Sequence, residues 1–491
     1  MIEFILNDRN ISTDLPPGTT VLDFVRYREN LKGTKIGCRE GDCGACTILV
    51  GELIDSEVRY RSMTSCLMPL ANATGKHIVT VEGINPEDGS LTPVQQAMLD
   101  ESGTQCGFCT VGFVMSLTGF CLDRVNSQRV SSPHVSKGST AAVEAAVSSI
   151  DGNICRCTGY KSIERAAAAI SSRLDEGGAQ FVPNYFEGIR KRLLELNGRR
   201  QQAETRPVGS VPFVGGGTDV YVQKPEHMAE IPAEPLLYNE HLRGIRDTGE
   251  HIEVGASATV TDLLESPVMQ AIFPNLYKHL KLVSSTPIRN MATLAGNFVN
   301  ASPIGDMTVW FLALDAEINV RTGSGSDRIL PLRDFYKGYK QLNKTADEYI
   351  TAIRFRKPSS DFRFNFEKVC KRTYLDIATV NTAISLRVGS PTVREGALSV
   401  AGALPHGRAT DAIVAEAHVS AGGVAPVPLY LKQTSAFLTG KPVTTQTITG
   451  ANEIMQSEIS PISDVRGTAQ YKRVLLRQLF SAHFYEMFWN E

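Results

Sequence analysis

The first seventy residues alternate apolar and polar positions in short runs that predict β-strands. The clearest of these runs are "MIEFILN" at the start of the chain and "CTILVGELI" from Cys46. Between them, "TVLDFVRYRENL" repeats its apolar residues at helical spacing, and Thr20 stands where an N-cap residue would begin the helix. The pattern therefore predicts strands and one short helix around a cysteine-containing loop.

The next hundred residues carry apolar positions at helical rather than alternating spacing. Four segments show this pattern: "TPVQQAMLDES", "GFCTVGFVMSLTGFCL", "AAVEAAVSSI" and "SIERAAAAISSRL". Helices with one apolar face bury that face by packing against one another. The spacing therefore predicts a bundle of four helices.

Length and composition indicate a globular protein of several domains. The chain has 491 residues, 42% of them hydrophobic, and a net charge of −2. This charge balance argues against nucleic acid or an anionic membrane as the main partner. No apolar stretch is long enough to span a bilayer and no signal peptide is visible, so we expect a cytoplasmic protein with reduced thiols.

Nine of the ten cysteines lie in the first third of the chain. Cys38, Cys43 and Cys46 have the spacing C-x4-C-x2-C, and Cys66 follows further on. This is the plant-type [2Fe–2S] spacing, and the intervening glycines let backbone amides turn toward the cluster sulfurs. The alternatives are a zinc site, which favours two C-x2-C pairs, and a disulfide framework, which reduced thiols disfavour.

A second set of four cysteines lies among the predicted helices. Cys106 and Cys109 form C-x2-C, and Cys155 and Cys157 form C-x-C. Helix N-termini stabilise negative charge, which suits thiolate ligands. Spacing alone fits zinc nearly as well as iron, and the neighbouring ferredoxin-like spacing favours iron. We expect the two cysteines outside these sets to be buried apolar side chains: Cys121 and Cys370.

Two later stretches have the composition of ligand-binding segments. In "VPFVGGGTDVYV", residues 211–222, a strand runs into three glycines, which let backbone amides approach a phosphate. In "STPIRNMATLAGNFVNASPIGDM", residues 285–307, hydroxyl and amide side chains are dense, which suggests a loop that contacts ribose and phosphates. An ordinary turn and a solvated loop are the respective alternatives.

The motifs "GCREGDCGAC", "TQCGFCTVGFVMS" and "GNICRCTGYKSI" resemble those of the xanthine dehydrogenase (molybdenum hydroxylase) family. The resemblance implies two [2Fe–2S] clusters, the second of which faces a molybdenum cofactor. The implied ligands are Cys38, Cys43, Cys46 and Cys66 for the first cluster and Cys106, Cys109, Cys155 and Cys157 for the second. Gln105 resembles a family residue between the second cluster and the pterin, and its alternative is an ordinary turn residue.

The two later stretches resemble the FAD-binding domain of the same family. The residues that the resemblance implies as FAD contacts are Val214, Gly215, Gly216, Gly217, Thr218, Asp219, Val220, Val283, Thr293, Leu294, Ala295, Gly296, Asn297, Asp306, Ile350 and Lys368. Lys368 could instead be a solvated strand lysine, and Val283 and Ile350 could be core residues. No side chain is expected to be catalytic, because the flavin is the reactive centre.

The resemblance covers nearly the whole chain and implies a multidomain α+β fold. The expected parts are a β-grasp ferredoxin domain (1–84), a four-helix-bundle [2Fe–2S] domain (85–172), a linker (173–207), a two-lobed VAO/PCMH-type FAD-binding domain (208–360) and a small α+β domain like the C-terminal domain of CO dehydrogenase flavoproteins (361–491). In the last part, "AISLRVG" and "EGALSVAGAL" predict strands, and "PVTTQTITGANEIMQ" and "TAQYKRVLLRQLFSAHFYEMF" predict helices.

The resemblance also implies an electron-transfer subunit of the xanthine dehydrogenase type. The chain ends where the family's molybdopterin region would begin, so we expect a large molybdopterin-binding subunit as partner in an α2β2 heterotetramer. Oxidation of hypoxanthine or xanthine to urate there would send electrons through both clusters to FAD and on to NAD⁺. The alternatives are the equivalent subunit of an aldehyde or other N-heterocycle hydroxylase, and a non-enzymatic, stand-alone redox or binding protein such as a zinc-bearing scaffold.

Overall fold

The computed structural model describes residues 1–127, 140–176, 180–201, 212–372, 375–389 and 412–489. The chain forms two compact units. The first consists of Met1–Asn239, Thr259–Thr261 and Ser284–Ala292. The second consists of Glu240–Ala258, Asp262–Val283 and Thr293–Glu491.

A five-stranded sheet begins the first unit. Thr47–Ile54 and Glu57–Thr64 form an antiparallel hairpin, and its turn residues Asp55 and Ser56 have φ values of 50° and 67°. Positive φ at both positions gives a two-residue turn whose twist matches that of the strands. The strand order in the sheet is Arg9–Thr13, Ile2–Leu6, His77–Val79, Thr47–Ile54 and Glu57–Thr64.

The predicted helix of this region has the predicted N-cap. The Thr20 side chain accepts a hydrogen bond from the Asp23 amide at 3.2 Å, which satisfies one of the free amides at a helix start. The helix covers Val21–Asp23 and continues as a π-helical turn over Phe24–Arg28. Its side chains Val21, Leu22, Phe24 and Val25 are buried in the same core as the sheet.

Four helices follow where their apolar spacing predicts them. Their bounds are Pro93–Asp100, Thr110–Ser127, Thr140–Ser149 and Lys161–Glu176. The first begins with a reciprocal capping box between Thr92 and Gln95. Buried side chains of all four helices share one core, which also contains Cys109 and Cys155.

The rest of the first unit consists of one longer helix and short elements. The longer helix covers Phe186–Gln201, and the strand Phe213–Val214 pairs in parallel with Glu234–Pro235. The short helices, among them single 3₁₀ turns, are Leu70–Ala73, Val81–Ile84, Val220–Gln223, Pro225–Glu230 and Thr286–Arg289.

Two larger antiparallel sheets organise the second unit. The strand order of one is Asp327–Pro331, Glu317–Thr322, Glu348–Arg356, His251–Gly255 and Ile245–Asp247. The order of the other is Phe362–Val369, Val380–Gly389, Ile413–Gly422 and Leu429–Tyr430. A separate pair joins Tyr336–Gly338 and Gln341–Leu342. The predicted strand "AISLRVG" lies within Val380–Gly389, whereas "EGALSVAGAL" lies outside the described residues.

Several helices of the second unit contact these sheets. Those that lie wholly or mostly in it are Val260–Glu265, Pro267–Ile272, Leu276–Leu280, Leu294–Asn300, Asp306–Leu312, Lys432–Leu438, Thr445–Glu458 and Ala469–Phe488, with 3₁₀ turns at Glu240–Leu242 and Leu332–Asp334. The last two α-helices lie where the sequence predicts them, and their apolar faces share a core with the second sheet. Within the ranges given above, no helix has both the length and the apolar character needed to cross a lipid bilayer.

Candidate functional site

The first set of cysteines lies at the open end of the hairpin. Cys46 comes directly before one strand, and Cys66 comes shortly after the other. Thr47 pairs with Thr64 in the hairpin register, so strand pairing brings the two cysteines together. The amide and the hydroxyl of Ser65 both donate to the Cys46 carbonyl, at 3.3 and 2.7 Å. Both cysteines are buried.

Cys38 and Cys43 form the other half of this set. The Cys38 amide donates to the Cys43 sulfur at 3.4 Å, and the Glu40 amide donates to the Cys38 sulfur at 3.3 Å. A hydrogen bond from the Cys43 thiol lowers the pKa of Cys38 to about 5 and raises the pKa of Cys43. In the same way, a hydrogen bond from Cys66 lowers the pKa of Cys46, while the pKa of Cys66 is raised. Within each pair, the hydrogen bond between the two sulfurs therefore lowers one pKa and raises the other.

The second set of cysteines precedes two helix N-termini. Cys106 and Cys109 come directly before the second of the four helices, and Cys155 and Cys157 come before the fourth. The sulfurs of Cys106 and Cys157 lie 3.4 Å apart. Cys109 is hydrogen-bonded to Cys155. The fold therefore brings together two stretches that are far apart in sequence, as the helical pattern predicts.

The two cysteines of each pair in the second set also have pKa values shifted in opposite directions. The backbone amide of Phe108, aided by the Cys157 thiol, lowers the pKa of Cys106. Burial and the Cys155 partner raise the pKa of Cys109 to about 12. Burial would raise the pKa of Cys155 too, but hydrogen bonds from the hydroxyl and amide of Thr158, at 3.1 and 3.3 Å, help to lower it. Within each pair, the pKa of one cysteine is again lowered and that of the other is raised.

This arrangement in pairs fits a binuclear cluster. A [2Fe–2S] cluster has two irons with two protein ligands each, and each set supplies two pairs of cysteines. A structural zinc ion instead gathers four ligands around one point. Across the described ranges, no three or more Cys, His, Asp or Glu side chains converge in that way. All ten cysteines are free thiols. Each set can therefore hold one [2Fe–2S] cluster, and the ligand assignment stays a prediction that this geometry supports.

The two remaining cysteines have different surroundings. Cys121 is fully buried in the helical core, as predicted, and burial raises its pKa. The same prediction is wrong for Cys370, which is partly exposed. Its sulfur lies 2.7 Å from the Arg372 carbonyl oxygen. Cys370 follows the end of the strand Phe362–Val369, where the chain leaves the sheet and its core.

Backbone contact joins the two cysteine sets. The amide of Ile154, the residue before Cys155, donates to the Cys43 carbonyl at 3.0 Å. The side-chain amide of Asn153 donates to the Gly44 carbonyl at 3.2 Å. Sequence reasoning misses Asn153 and Ile154, because only their position beside a cysteine motif distinguishes them from other residues.

The glycine-rich stretch of the first unit lies beside the first cysteine set. Gly217 has a φ of 84°, and a side chain there would meet the Leu67 carbonyl oxygen at 2.7 Å. Leu67 directly follows Cys66, so the loop reaches the backbone next to a predicted ligand. Val214 is buried in the core that contains Cys66. The partly exposed positions of the loop, where a ligand could make contact, are Gly215, Thr218, Asp219 and Val220, and the buried ones are Gly216 and Gly217.

Two short helices interrupt the second polar stretch, so the expectation that it is a loop is wrong for these parts of it. Leu294–Asn300 is a helix, and Thr293 is its N-cap, with a hydroxyl that accepts from the Gly296 amide at 3.1 Å. The Asn297 side-chain oxygen accepts from the amide and hydroxyl of Thr308, at 3.1 and 3.0 Å. These polar groups cap and join helices, which a composition argument cannot distinguish from ligand contacts.

Lys368 and Asp306, two predicted FAD contacts, meet in the second unit. The Lys368 ammonium lies 2.7 Å from the Asp306 carboxylate and donates to the Leu282 carbonyl at 2.7 Å. Its side chain is only 1% exposed, which excludes the alternative of a solvated strand lysine. The other Asp306 oxygen accepts from the Asn381 side-chain amide at 2.6 Å. Sequence reasoning misses Asn381, whose one signal is a polar side chain within an apolar strand.

The other predicted FAD contacts of the second unit fall into two groups. The side chains of Val283 and Ile350 are buried, which fits the alternative that they are core residues, and the Leu294 side chain is buried as well. Ala295, Gly296 and Asn297 are partly exposed. Contact of either group with a flavin stays a prediction.

Four family models match consecutive parts of the chain. Their descriptions are a 2Fe-2S iron-sulfur cluster binding domain (residues 4–71), a [2Fe-2S] binding domain (80–168), an FAD binding domain in molybdopterin dehydrogenase (200–358) and a CO dehydrogenase flavoprotein C-terminal domain (366–487). The xanthine dehydrogenase of Blastobotrys adeninivorans is 27% identical over 96% of this chain and 39% of its own length. The chain belongs to the molybdenum hydroxylase family.

Other relatives extend the comparison. Bovine (Bos taurus) aldehyde oxidase 1 is 24% identical over 96% of this chain and 38% of its own length. A solved carbon monoxide dehydrogenase from Hydrogenophaga pseudoflava, which lacks the Mo-pyranopterin moiety, is 23% identical, covers 58% of this chain with 90% of its own and has a TM-score of 0.48. This molybdenum hydroxylase chain thus has two [2Fe–2S]-binding domains and an FAD-binding domain, and it spans about two fifths of the length of the curated relatives it matches.

Proposed function

We propose that this chain is the iron–sulfur and flavin subunit of a xanthine dehydrogenase. In this proposal, a molybdenum centre on a partner chain oxidises hypoxanthine and xanthine to urate. Electrons pass from there through two [2Fe–2S] clusters to FAD and then to NAD⁺. The xanthine dehydrogenase relative, which aligns with 96% of the chain, supports this proposal.

The observation that carries the proposal is the order of the cysteine pairs within the first unit. Cys106 and Cys157 are exposed, whereas their partners Cys109 and Cys155 are buried. The amide beside Cys155 contacts the first set, as described above, and the glycine-rich loop approaches the backbone beside Cys66. The chain therefore has a sequence of candidate redox sites that leads from the protein surface to a candidate flavin-binding loop.

Burial and hydrogen bonding are this chain's own contribution to electron transfer. The potential of an iron–sulfur cluster depends on burial and on hydrogen bonds to its sulfurs, and the amides of Glu40 and Thr158 already donate to cysteine sulfurs. Bound FAD would supply the exchange between single electrons and a hydride for NAD⁺. No side chain of the chain needs to act as an acid, a base or a nucleophile.

The surface around Cys106 and Cys157 supports a partner chain. Phe108 is 46% exposed and Tyr160 is 37% exposed, and both stand in the motifs that contain the exposed cysteines. Gln105 is exposed at the same place. Apolar side chains beside an exposed redox site suit a protein partner. We propose that this partner is a large molybdopterin-binding subunit in a cytoplasmic α2β2 heterotetramer.

A second candidate function is the equivalent role in an aldehyde or other N-heterocycle hydroxylase. Bovine aldehyde oxidase 1 matches as much of the chain as the xanthine dehydrogenase relative does, with slightly lower identity. The proposed electron path would be the same in both cases. The two candidates differ only in the substrate oxidised by the partner.

The test is to purify the chain with its partner from the native host and to measure substrate-dependent NAD⁺ reduction. We expect xanthine to reduce NAD⁺ and an aldehyde to give little reduction. Turnover with an aldehyde but not with xanthine would favour the second candidate. A Phe108→Asp variant tests the docking surface and is expected to lose the partner, while Leu194→Asp, at another exposed apolar position, is expected to keep it.

A further inference from the structure

Four residues make the contact between the two cysteine sets, and we call them the bridging contact: Cys43, Gly44, Asn153 and Ile154. The Ile154 amide donates to the Cys43 carbonyl at 3.0 Å. Ile154 is bonded covalently to Cys155, a predicted ligand of the other cluster. One hydrogen bond therefore completes a path of covalent bonds from a ligand of one cluster to a ligand of the other.

Asn153 is fixed at both ends of its side chain. Its amide nitrogen donates to the Gly44 carbonyl at 3.2 Å, and its oxygen accepts from the Ser116 hydroxyl at 2.8 Å. Asn153 is 5% exposed and Ser116 is 1% exposed. A buried amide is costly unless it is hydrogen-bonded, so these two bonds hold the side chain in one orientation.

At the bridging contact, the backbone of Gly44 lies directly against the backbone around Gly152 and Gly112. Gly44 has a φ of 67°, and a side chain there would collide with the Gly152 carbonyl and with the Asn153 side chain. A side chain at Gly112 would collide with the Gly44 carbonyl. Both glycines therefore keep the two cysteine motifs closer than side chains would allow.

We propose that Asn153 is a positioning residue for electron transfer between the two clusters, with the Ile154–Cys43 hydrogen bond as the route. This inference rests on the proposed function. With a [2Fe–2S] cluster held at each set, one electron would leave the cluster at Cys155, oxidising it by one unit, and enter the cluster at Cys43, reducing it by one unit. No atom or proton is transferred. Electron transfer is faster through bonds than across a gap of the same length. Asn153 holds the Ile154 amide within hydrogen-bond distance of the Cys43 carbonyl.

The test compares four variants of the full chain with the unchanged protein. Asn153→Ala removes both side-chain bonds, Ser116→Ala removes one, and Ser116→Thr keeps the hydroxyl. Asn72→Ala is the matched control, because Asn72 is also a buried asparagine of the first unit and its side chain makes no hydrogen bond within the described residues. Intercluster transfer is timed after pulse reduction, and magnetic coupling of the two reduced clusters is measured by electron paramagnetic resonance.

We expect Asn153→Ala to slow intercluster transfer roughly tenfold, the size of effect typical for residues that orient metal ligands. Ser116→Ala is expected to slow it less, and Ser116→Thr and Asn72→Ala are expected to keep the original rate. Hydrogen exchange of the Ile154 amide, which needs no turnover, is expected to accelerate in Asn153→Ala and Ser116→Ala. The iron content should be unchanged in all variants.

Two results would overturn the inference. One is an original transfer rate in a variant whose Ile154 amide has lost its protection, since the hydrogen bond would then not be the route. The other is full protection of Ile154 in both alanine variants, since Asn153 would then not position it. Ser116→Ala provides both readouts if Asn153→Ala does not fold. Absence of iron from the unchanged protein would instead contradict the proposed function itself.

Discussion

The Lys368 ammonium and the Asp306 carboxylate form an ion pair of 2.7 Å in the interior of the second unit. The Asp306 side chain is 13% exposed, and its second oxygen is held by Asn381. Removing one partner of such a pair leaves an uncompensated buried charge. The pair therefore fixes the orientation of two residues at which the family resemblance implies flavin contacts.

Lys368→Met should lower the free energy of unfolding by about 3 kcal/mol, because Asp306 would be left without its cation. It should also lower the ratio of FAD to protein after purification. Lys337→Met, at an exposed lysine of the same unit, is the matched control and should change neither quantity. The double variant Lys368→Met with Asp306→Asn should recover part of the lost stability. Equal effects of Lys368→Met and Lys337→Met would contradict this account of the pair.

A second buried pair stabilises the first unit. The Arg289 guanidinium lies 2.6 Å from the Asp151 carboxylate, and both side chains are 3% exposed. We expect Asp151→Asn to lower the free energy of unfolding, measured by denaturant unfolding, by about 3 kcal/mol. The control is Asp327→Asn, which breaks an exposed ion pair. The Arg321 guanidinium lies 2.7 Å from the Asp327 carboxylate, and both side chains are about two fifths exposed. This variant should lower the free energy of unfolding by less than about 1 kcal/mol. Similar costs for the two variants would show that burial does not determine the strength of these pairs.

The cysteine pairs lead to a prediction about iron content. Cys43→Ala should remove the first cluster and lower the iron from about four to about two atoms per chain. Cys155→Ala should remove the second cluster and lower the iron content by the same amount. Cys121→Ala is the control, because Cys121 is buried but belongs to neither set. Loss of iron from Cys121→Ala equal to that from Cys43→Ala would contradict the ligand assignment.

Three buried histidines predict how stability depends on pH. Burial lowers the pKa of His77 and His483 to about 3 and that of His279 to about 4, from 6.5 in an unfolded chain. Between about pH 4 and 6.5, the unfolded chain therefore binds protons that the folded chain does not. Stability is thus expected to rise with pH in this window and to be lost on acidification.

The contribution of one histidine can be measured by substitution. His483→Gln keeps an acceptor for the Asn365 amide, which donates to His483 at 3.0 Å, but cannot titrate. The loss of stability between pH 6.5 and 5.5 should be smaller in this variant by about 1 kcal/mol. His227→Gln, at an exposed position, is the matched control for the loss of an imidazole. Parallel pH profiles for the original protein and His483→Gln would rule out this histidine as a cause.

Local pattern predicts the elements of this fold better than it predicts the roles of polar residues. The helices around the second cysteine set follow from apolar spacing, and the Thr20 cap follows from a residue preference that acts within one turn. The role of Thr293 as a helix N-cap cannot be predicted from local pattern, because a threonine before a helix and a threonine in a binding loop look alike in sequence.

Contacts between residues that are distant in sequence cannot be predicted from a single sequence. Asn153 and Gly44 are 109 positions apart, and Asn381 reaches Asp306 across 75 positions. Asn153 stands beside a cysteine motif and Asn381 is a polar residue within an apolar strand, but neither signal identifies the residue that the asparagine contacts. Cys370 illustrates the opposite error, since its residue type suggests burial but its position just beyond the end of a strand leaves it partly exposed.

The central claim is that the cysteine pairs and the FAD-binding domain form one electron-transfer chain. A reductive titration of the purified protein, followed by absorbance and electron paramagnetic resonance, tests it most directly. We predict uptake of about four electrons per chain, one for each of two distinct [2Fe–2S] signals and two for the flavin. Bound zinc without flavin absorbance, or a single iron–sulfur signal at full iron content, would contradict the account.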